Sequence, residues 1–261
     1  MKKISIITVV FNRKIEFEKT LENILSQTHT NLEIIIIDGG SSDGTLDVIK
    51  KNNDKISYWV SEPDEGIYNA MNKGIEIATG EWINFLNAGD YYYNNDTLKN
   101  TFNNLVNKPL DLLIGDSIIK YDNFSRDYVN GNINEIWKGA QFIHQSCFIR
   151  TGYQKNNLYN EKNVISADFE FFFKSIYLNN ITTKNLNTII SVFSAGGLSD
   201  NKRVPALISN FRLVLEIYKP KLKVIFFYFF LIQKEIYKSF LKKILSKNII
   251  TKIQKYIYGK N

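Results

Sequence analysis

Four consecutive isoleucines, Ile34–Ile37, run without a polar interruption into Asp38-Gly39-Gly40-Ser41-Ser42-Asp43-Gly44-Thr45. A strand with one wet face alternates apolar and polar residues. An unbroken run suits a strand covered on both faces, as in a parallel sheet flanked by helices. Gly39 and Gly40 allow the backbone to turn tightly or to approach a ligand closely. Ser41, Ser42 or Asp43 can cap the helix that begins at Thr45. Asp38 then stands at the carboxyl end of a buried strand, where open α/β sheets bind their ligands. A plain strand–turn–helix joint looks the same in isolation, so the rest of the chain has to decide.

The same alternation of apolar runs and helical spacing continues along the chain. Strands are expected at Lys3–Phe11, Leu32–Ile37, Ile56–Val60 and Trp82–Leu86, with helices at Ile15–Gln27, Thr45–Lys51 and Ile67–Ala78 between them. This succession predicts a mostly parallel sheet with right-handed crossovers. After Asp90 the pattern predicts a helix at Asp96–Asn107, strands at Leu110–Lys120, Phe142–Arg150 and Ile189–Phe193, a helix at Ser166–Leu178, and a long helical signal from Arg203 onward. His29, in Gln27-Thr28-His29-Thr30-Asn31, is expected on a surface loop, and Cys147 in the core.

With 261 residues, 44% of them hydrophobic, the chain can build one large domain and an appendage. One cysteine excludes an intramolecular disulfide and a multi-cysteine zinc site. Lys2-Lys3 is followed by a short apolar run without a small-residue cleavage site, so no secretory leader is expected. No stretch reaches the roughly 18 apolar residues of a membrane span, and a cytoplasmic location is expected. Eleven lysines against one acid, Glu235, give Lys219–Asn261 a charge of +10, which leaves residues 1–218 at −3 of the chain's +7. The body is mildly acidic and only the tail is basic, so the charge does not argue for nucleic-acid binding.

Polar side chains gather at three strand ends: Thr8 to Asn12, Asp38, and Asn87-Ala88-Gly89-Asp90. In a parallel sheet these ends share one edge and can converge on one ligand. No GxGxxG turn follows the first strand and no GxxxxGK[ST] occurs, which weakens dinucleotide and P-loop readings.

The segments ISIITVVFNR, LEIIIIDGGSSDGT, SEPDEGIYNAMNKGIEIATGEWINFLNAGD, HQSCFIR and ISADFEFFFK resemble, in that order, the successive motifs of family 2 glycosyltransferases over about residues 1–200. The resemblance implies an inverting enzyme with the GT-A fold, of the kind that builds bacterial surface polysaccharides. It implies that Thr8 and Asn12 lie on the loop that cups the nucleotide, that Asp38 contacts the base, and that Asp64 makes a second base or ribose contact. Asn87 to Asp90 takes the place of the DxD motif. Asp90 would hold a divalent cation, Mn²⁺ or Mg²⁺, and Asn87 or the backbone at Ala88 would face ribose or diphosphate. Asp168 takes the place of the catalytic base, and His144 would touch the metal or the diphosphate. The pattern departs from the family at Gly39, where a second aspartate is frequent, at Asn69 and Met71, and in the reduction of the DxD to one acid. Plainer roles stand beside these: Asp90 as a turn or cap residue, Asp168 as a helix N-terminal charge favoured by the dipole, His144 as a hydrogen-bonded structural histidine. Gly196-Gly197 admits either a close backbone approach to ligand or an ordinary tight turn.

A divalent cation held by hard oxygens neutralises the charge that develops on a nucleoside-diphosphate leaving group. Inversion needs one base on the opposite face of the sugar. The implied partners are a nucleotide-sugar donor, UDP-sugar being the commonest case, and a saccharide acceptor carried on a polyprenyl diphosphate lipid, with O-antigen or capsule as the product. Residues 1–218 form the GT-A unit in this reading, 1–90 the nucleotide-binding half and 91–218 the acceptor-binding half. Residues 219–261 form a basic amphipathic helical tail, in which Val224–Ile232 is nine apolar residues followed by recurring lysines. Such a helix can lie on an anionic membrane surface, each nearby lysine contributing about 1 kcal/mol, and the protein is then expected on the inner face of the cell membrane. The alternative is a helix packed on its own domain with solvated lysines. The rivals are a sugar nucleotidyltransferase, which should show a Gly-rich basic loop after the first strand where ITVVFNRKIEF has none, and a non-catalytic glycan- or nucleotide-binding subunit of the same fold.

Overall fold

The computed structural model describes residues 1–103, 105, 109–121, 124–195, 202–245, 249–250, 252–253 and 256, with only the backbone at Lys242 and Lys243. Gly196-Gly197 and Asp200 lie outside the described residues. The first half alternates as the sequence predicts: β1 (Ile4–Val10), α1 (Lys14–Leu25), β2 (Leu32–Asp38), α2 (Thr45–Lys51), β3 (Tyr58–Ser61), α3 (Ile67–Ile77) and β4 (Trp82–Phe85). β5 (Tyr91–Tyr92), α4 (Thr97–Asn103), β6 (Leu112–Lys120) and β7 (Ser125–Tyr128) follow. Then come β8 (Cys147–Arg150), α5 (Thr151–Lys155), α6 (Ala167–Tyr177), β9 (Thr183–Ser194), α7 (Arg203–Ile217) and α8 (Lys221–Ile244).

All of these strands join one sheet in the order β3-β2-β1-β4-β8-β6-β9-β5, with β7 alongside β6. The run β3-β2-β1-β4 is parallel, as is β6 with β9, whereas β8 is antiparallel to both of its neighbours. This is the α/β architecture expected from the isoleucine run, and β2 shows why. Ile35 and Ile37 point into one core layer with Ile7, Val9, Met71, Ile75 and Phe173. Ile34 and Ile36 point into the other, with Ile4, Ile6, Phe17, Leu21 and Val48. Alternate side chains face opposite sides of a sheet, and helices cover both.

Several features differ from the sequence reading. The strand expected over Phe142–Arg150 begins only at Cys147, because His144–Ser146 forms a 3₁₀ turn. His29 is not a surface residue. Its Nε2 lies 2.8 Å from the Lys2 carbonyl oxygen, its ring packs on Phe102, and it is buried. The apolar run Val224–Ile232 is not one surface patch. Val224 and Tyr228 are fully buried in the core layer that holds α6, and the Tyr228 hydroxyl donates to the Trp137 carbonyl oxygen at 3.1 Å. The boundary drawn after residue 218 therefore falls between two helices that pack together, with the first half of α8 fixed to the body. No described helix is long and apolar enough to cross a membrane.

Candidate functional site

The parallel strands β1, β2 and β4 end at one edge, and their loops are stitched to each other. Asn12, in the left-handed region at φ 49°, accepts a bond from the Ser42 amide at 2.8 Å on Oδ1, and its own amide donates to the Ser41 hydroxyl at 2.8 Å. Asp38 ends β2 with both carboxylate oxygens engaged, by the Ser41 amide and hydroxyl and by the Ser61 hydroxyl. A side chain at Gly39 would meet Asp64 Oδ2 at 3.2 Å and the Phe11 ring at 3.3 Å. The glycine is what lets these two groups close over the end of β2. Asp64 is paired with Lys73 at 2.7 Å, and Phe11 is 60% exposed beside it. A flat apolar ring next to a carboxylate, above a backbone bare of side chains, is a surface on which a planar base can stack. Thr8 does not share this surface. It is fully buried inside β1 and donates to the Leu86 carbonyl oxygen at 2.8 Å, tying the ends of β1 and β4 together.

The turn after β4 carries the second group of residues. Gly89 adopts φ 104°, a conformation open chiefly to glycine. The Asp90 amide donates to the Asn87 carbonyl oxygen at 2.9 Å, and the Ala88 amide reaches the Val9 carbonyl oxygen at 3.5 Å. Thr20 on α1 fastens the turn, accepting from the Gly89 amide at 2.9 Å and donating to the Asp90 carbonyl oxygen at 3.0 Å. The side chain of Asp90 is thereby turned inward. The residue is 6% exposed, and its Oδ2 accepts a bond from Gln145 Nε2 at 2.9 Å. Burial raises its pKa from 3.8 to about 6, against the opposing pull of the Gln145 amide and of His144.

His144, the chain neighbour of Gln145, faces Asp168. Its Nδ1 lies 3.3 Å from Asp168 Oδ2, and the Tyr68 hydroxyl donates to Asp168 Oδ1 at 2.9 Å. Burial by itself pushes the Asp168 carboxyl up, but the bond and charge of His144 and the Tyr68 hydroxyl outweigh it, so the net shift is downward. The group is ionised at neutral pH. Its side chain keeps 31% exposure, which leaves it reachable from one side. It sits in the first turn of α6, where the helix dipole also favours an anion. The edge-to-face contact of Phe142 with Phe172, 4.9 Å between centroids, fixes α6 against the segment that carries His144.

That segment is pinned from below by buried polar groups. Asn84, in the middle of β4, donates to the Gln145 and Cys147 carbonyl oxygens at 3.0 and 2.8 Å, while the Tyr92 hydroxyl donates to Asn84 Oδ1 at 2.7 Å. The Ser146 hydroxyl lies 2.7 Å from those of Ser117 and Ser191. These buried bonds explain why the strand starts late: the polar side chains hold His144 and Gln145 in a turn. Replacing Gln145 by methionine, of similar volume, is expected to destabilise the fold by about 1–3 kcal/mol through loss of the partner of a buried carboxylate. Denaturant unfolding measures it, and an unchanged midpoint would show that Gln145 does not hold Asp90.

Three buried polar atoms on residues of this turn and the facing segment have no hydrogen-bond partner among the described residues: Asn87 Oδ1, His144 Nε2 and Gln145 Oε1. Buried polar groups are almost always satisfied, so such a group of orphans points to a missing partner. No set of three or more His, Cys, Asp or Glu residues that could hold a metal occurs among the described residues. The donor set here is one carboxylate, amide oxygens and an imidazole. It fits a hard divalent cation that keeps water or ligand oxygens in its remaining positions, and does not fit an all-protein cage. Sequence reasoning singled out Asp90, His144 and Asp168 and missed Tyr68, Asn84, Gln145 and Phe11. All four lie inside the segments that carry the family resemblance, and Asn84 is also a polar residue in an otherwise apolar strand, which is a readable signal.

Comparison with known proteins places this arrangement. The family model of glycosyl transferase family 2 matches residues 5–179. A PGL/p-HBAD biosynthesis glycosyltransferase of Mycobacterium bovis is 30% identical over 202 residues, covering 75% of this chain and 78% of the relative. An uncharacterized glycosyltransferase of Mycobacterium tuberculosis is 26% identical over 223 residues, 83% of this chain and 84% of the relative. Among solved structures, S. aureus TarS 1–349 in complex with UDP-GlcNAc superposes with a TM-score of 0.65 at 18% identity, over 85% of this chain and 69% of that one. The mannosyltransferase PcManGT of Pyrobaculum calidifontis, in complex with GDP-Man and Mn²⁺, superposes with a TM-score of 0.65 at 17% identity, over 85% and 68%. The two structures share the GT-A arrangement of a sheet flanked by helices. Matched by the family model over more than half of its length, and by a curated relative at 30% identity, the chain belongs to glycosyl transferase family 2.

Proposed function

We propose that this transferase is a metal-dependent, inverting hexosyltransferase that takes its sugar from a nucleoside-diphosphate donor, UDP-sugar first, and passes it to a lipid-linked saccharide. The observation that carries the reading is the pair His144-Gln145: a ring nitrogen of His144 faces the partly exposed Asp168, and the Gln145 amide donates to the buried Asp90. In this reading a base and a diphosphate site lie on either side of that pair. The base of the nucleotide would stack on Phe11, with Asp38 and Asp64 at its polar edge and Asn12 holding the loops in place. A divalent cation, Mn²⁺ or Mg²⁺, would supply neutralisation of the departing diphosphate. Asp90, with His144 and the amide oxygens of Asn87 and Gln145, would hold it. Arg13 adds a positive charge next to the same turn, as its influence on Asp90 indicates. The acceptor hydroxyl attacks the anomeric carbon as the bond to the diphosphate breaks. Its proton passes to Asp168, oriented by Tyr68 and His144, and the nucleoside diphosphate leaves with the bonding pair.

The neighbours crystallised with UDP-GlcNAc and with GDP-Man and Mn²⁺ support a nucleotide-sugar donor and a cation. The basic tail supports a polyprenyl diphosphate acceptor at the inner face of the cell membrane, and hence a role in O-antigen, capsule or a related glycan. A screen of UDP-, GDP- and dTDP-sugars, with Mn²⁺ or with EDTA, tests the reading by release of nucleoside diphosphate. Release from one donor class, lost in EDTA, is expected. Binding without turnover of any donor would make the chain a binding subunit. Release of pyrophosphate from a nucleoside triphosphate and a sugar 1-phosphate would make it a nucleotidyltransferase.

A further inference from the structure

We propose that α8 is an in-plane lipid-binding helix, whose face opposite the protein body enters the acyl boundary of an anionic bilayer. The inference rests on the transferase reading only for its purpose, the capture of a lipid-linked acceptor. The surface itself follows from the helix. Val224 and Tyr228 are buried, Phe227 packs on Trp137 at 5.3 Å, and Leu231 and Ile232 lie against the same core layer. At 3.6 residues per turn these side chains occupy one side, and Leu222, Phe226, Phe229, Phe230 and Phe240 fall about half a turn away. Nine of the 24 residues of α8 are large, apolar and exposed, and they follow this second stripe or its borders. A helix that needed only to pack on its own domain would have one apolar side. This one has two, and the second has no partner among the described residues.

Charge selects the occupant. By the same spacing Lys223 and Lys234 lie along one border of the stripe, both exposed, with Lys223 Nζ 4.9 Å from the centre of the Trp137 ring. The one acid of the tail, Glu235, is already paired with Lys238 at 2.7 Å. A second copy of the chain laid on the stripe would bring two segments of net +10 together, each with a single acid that is already paired. An anionic leaflet meets both halves of the pattern, with acyl chains for the phenylalanines and phosphates for the bordering lysines. Because Tyr228 and Val224 fix the helix to the body, embedding the stripe also sets how the whole molecule stands on the bilayer. Deleting the tail is the wrong test, since it would strip buried side chains from the core.

The test uses the full chain and the triple variant Phe226→Ser, Phe229→Ser, Phe230→Ser in flotation with vesicles of phosphatidylcholine alone, or of phosphatidylcholine and phosphatidylglycerol in equal parts. The unmodified chain is expected to float with the anionic vesicles at low salt and to bind less as salt rises. The variant is expected to lose at least about tenfold in bound fraction while keeping its far-ultraviolet circular dichroism and its donor hydrolysis. Should the triple variant not fold, Phe229→Trp serves instead: its emission is expected to be quenched by brominated acyl chains beyond any quenching of the unmodified protein. An unmodified chain that stays at the bottom, a folded triple variant that floats as well as its parent, or a Phe229→Trp variant quenched no more than the unmodified protein overturns the proposal. So does a dimer of the unmodified chain that the triple substitution dissolves without changing flotation. Donor hydrolysis is read separately, so a failed flotation leaves the transferase reading standing and a failed hydrolysis leaves the lipid helix standing.

Discussion

Replacing Asp168 by asparagine is expected to lower sugar transfer by about 100- to 10,000-fold, the range spanned by loss of a positioned general base. Nucleotide binding should stay within about twofold, because the proposed base-stacking surface of Phe11, Asp38 and Asp64 involves none of the groups around Asp168. Asparagine preserves the shape and can still accept the Tyr68 hydroxyl, so the loss would report the missing basicity and not a collapsed α6. Tyr68→Phe supplies the control. It removes a bond that favours the ionised carboxylate, so the pKa of Asp168 should rise and the acid limb of the pH–rate profile should move to higher pH, with a smaller loss at neutral pH. Transfer by Asp168→Asn close to that of the unmodified chain would end the assignment of the base.

The second large effect concerns Asp90 and the cation. EDTA is expected to abolish transfer, Mn²⁺ or Mg²⁺ to restore it, and Asp90→Ala to resist rescue. Stability gives a readout independent of turnover. The folded protein holds the Asp90 proton more tightly than the unfolded chain, with a pKa of about 6 against 3.8. The group therefore weakens folding progressively as pH rises through that interval, by about 3 kcal/mol when fully ionised. A bound cation offsets that cost and competes with the proton. Mn²⁺ should thus raise the Tm more at pH 7.5 than near pH 5, and Asp90→Asn should melt higher than the unmodified chain without metal while gaining nothing from its addition. A metal-induced rise in Tm that is unchanged in Asp90→Asn, or full transfer in EDTA, would remove Asp90 from the cation site.

The first four strands were legible because a parallel strand covered on both sides must be apolar throughout, and β1, β2 and β4 are largely so. The antiparallel half was less so. β5 is two residues long, and β9 starts six residues before the expected Ile189 because its first part is at most half-buried and carries no apolar run. Periodicity reports burial, and an edge segment with little burial leaves little trace. At the site, the acids that stand at strand and helix ends were readable one by one. What joins them was not. That His144 faces Asp168, or that Gln145 reaches Asp90, depends on β8 running back between β4 and β6. It depends also on the buried bonds of Asn84 and Ser146, which reach across distant parts of the chain and have no local signature.

The hydroxyls of Ser41 and Ser61 already occupy the carboxylate of Asp38. Asp38 is fully buried, so a nucleobase that reaches its carboxylate at the end of β2 has to move one of those hydroxyls aside. Trading one hydrogen bond for another nets little, on the order of 1 kcal/mol. On the proposed reading, donor choice at this end of the molecule would depend on the outline of the ring against the Phe11 shelf more than on the acid beneath it. Substituting Phe11 should blur the preference among bases, whereas mutating either serine should leave the ranking of donors in place.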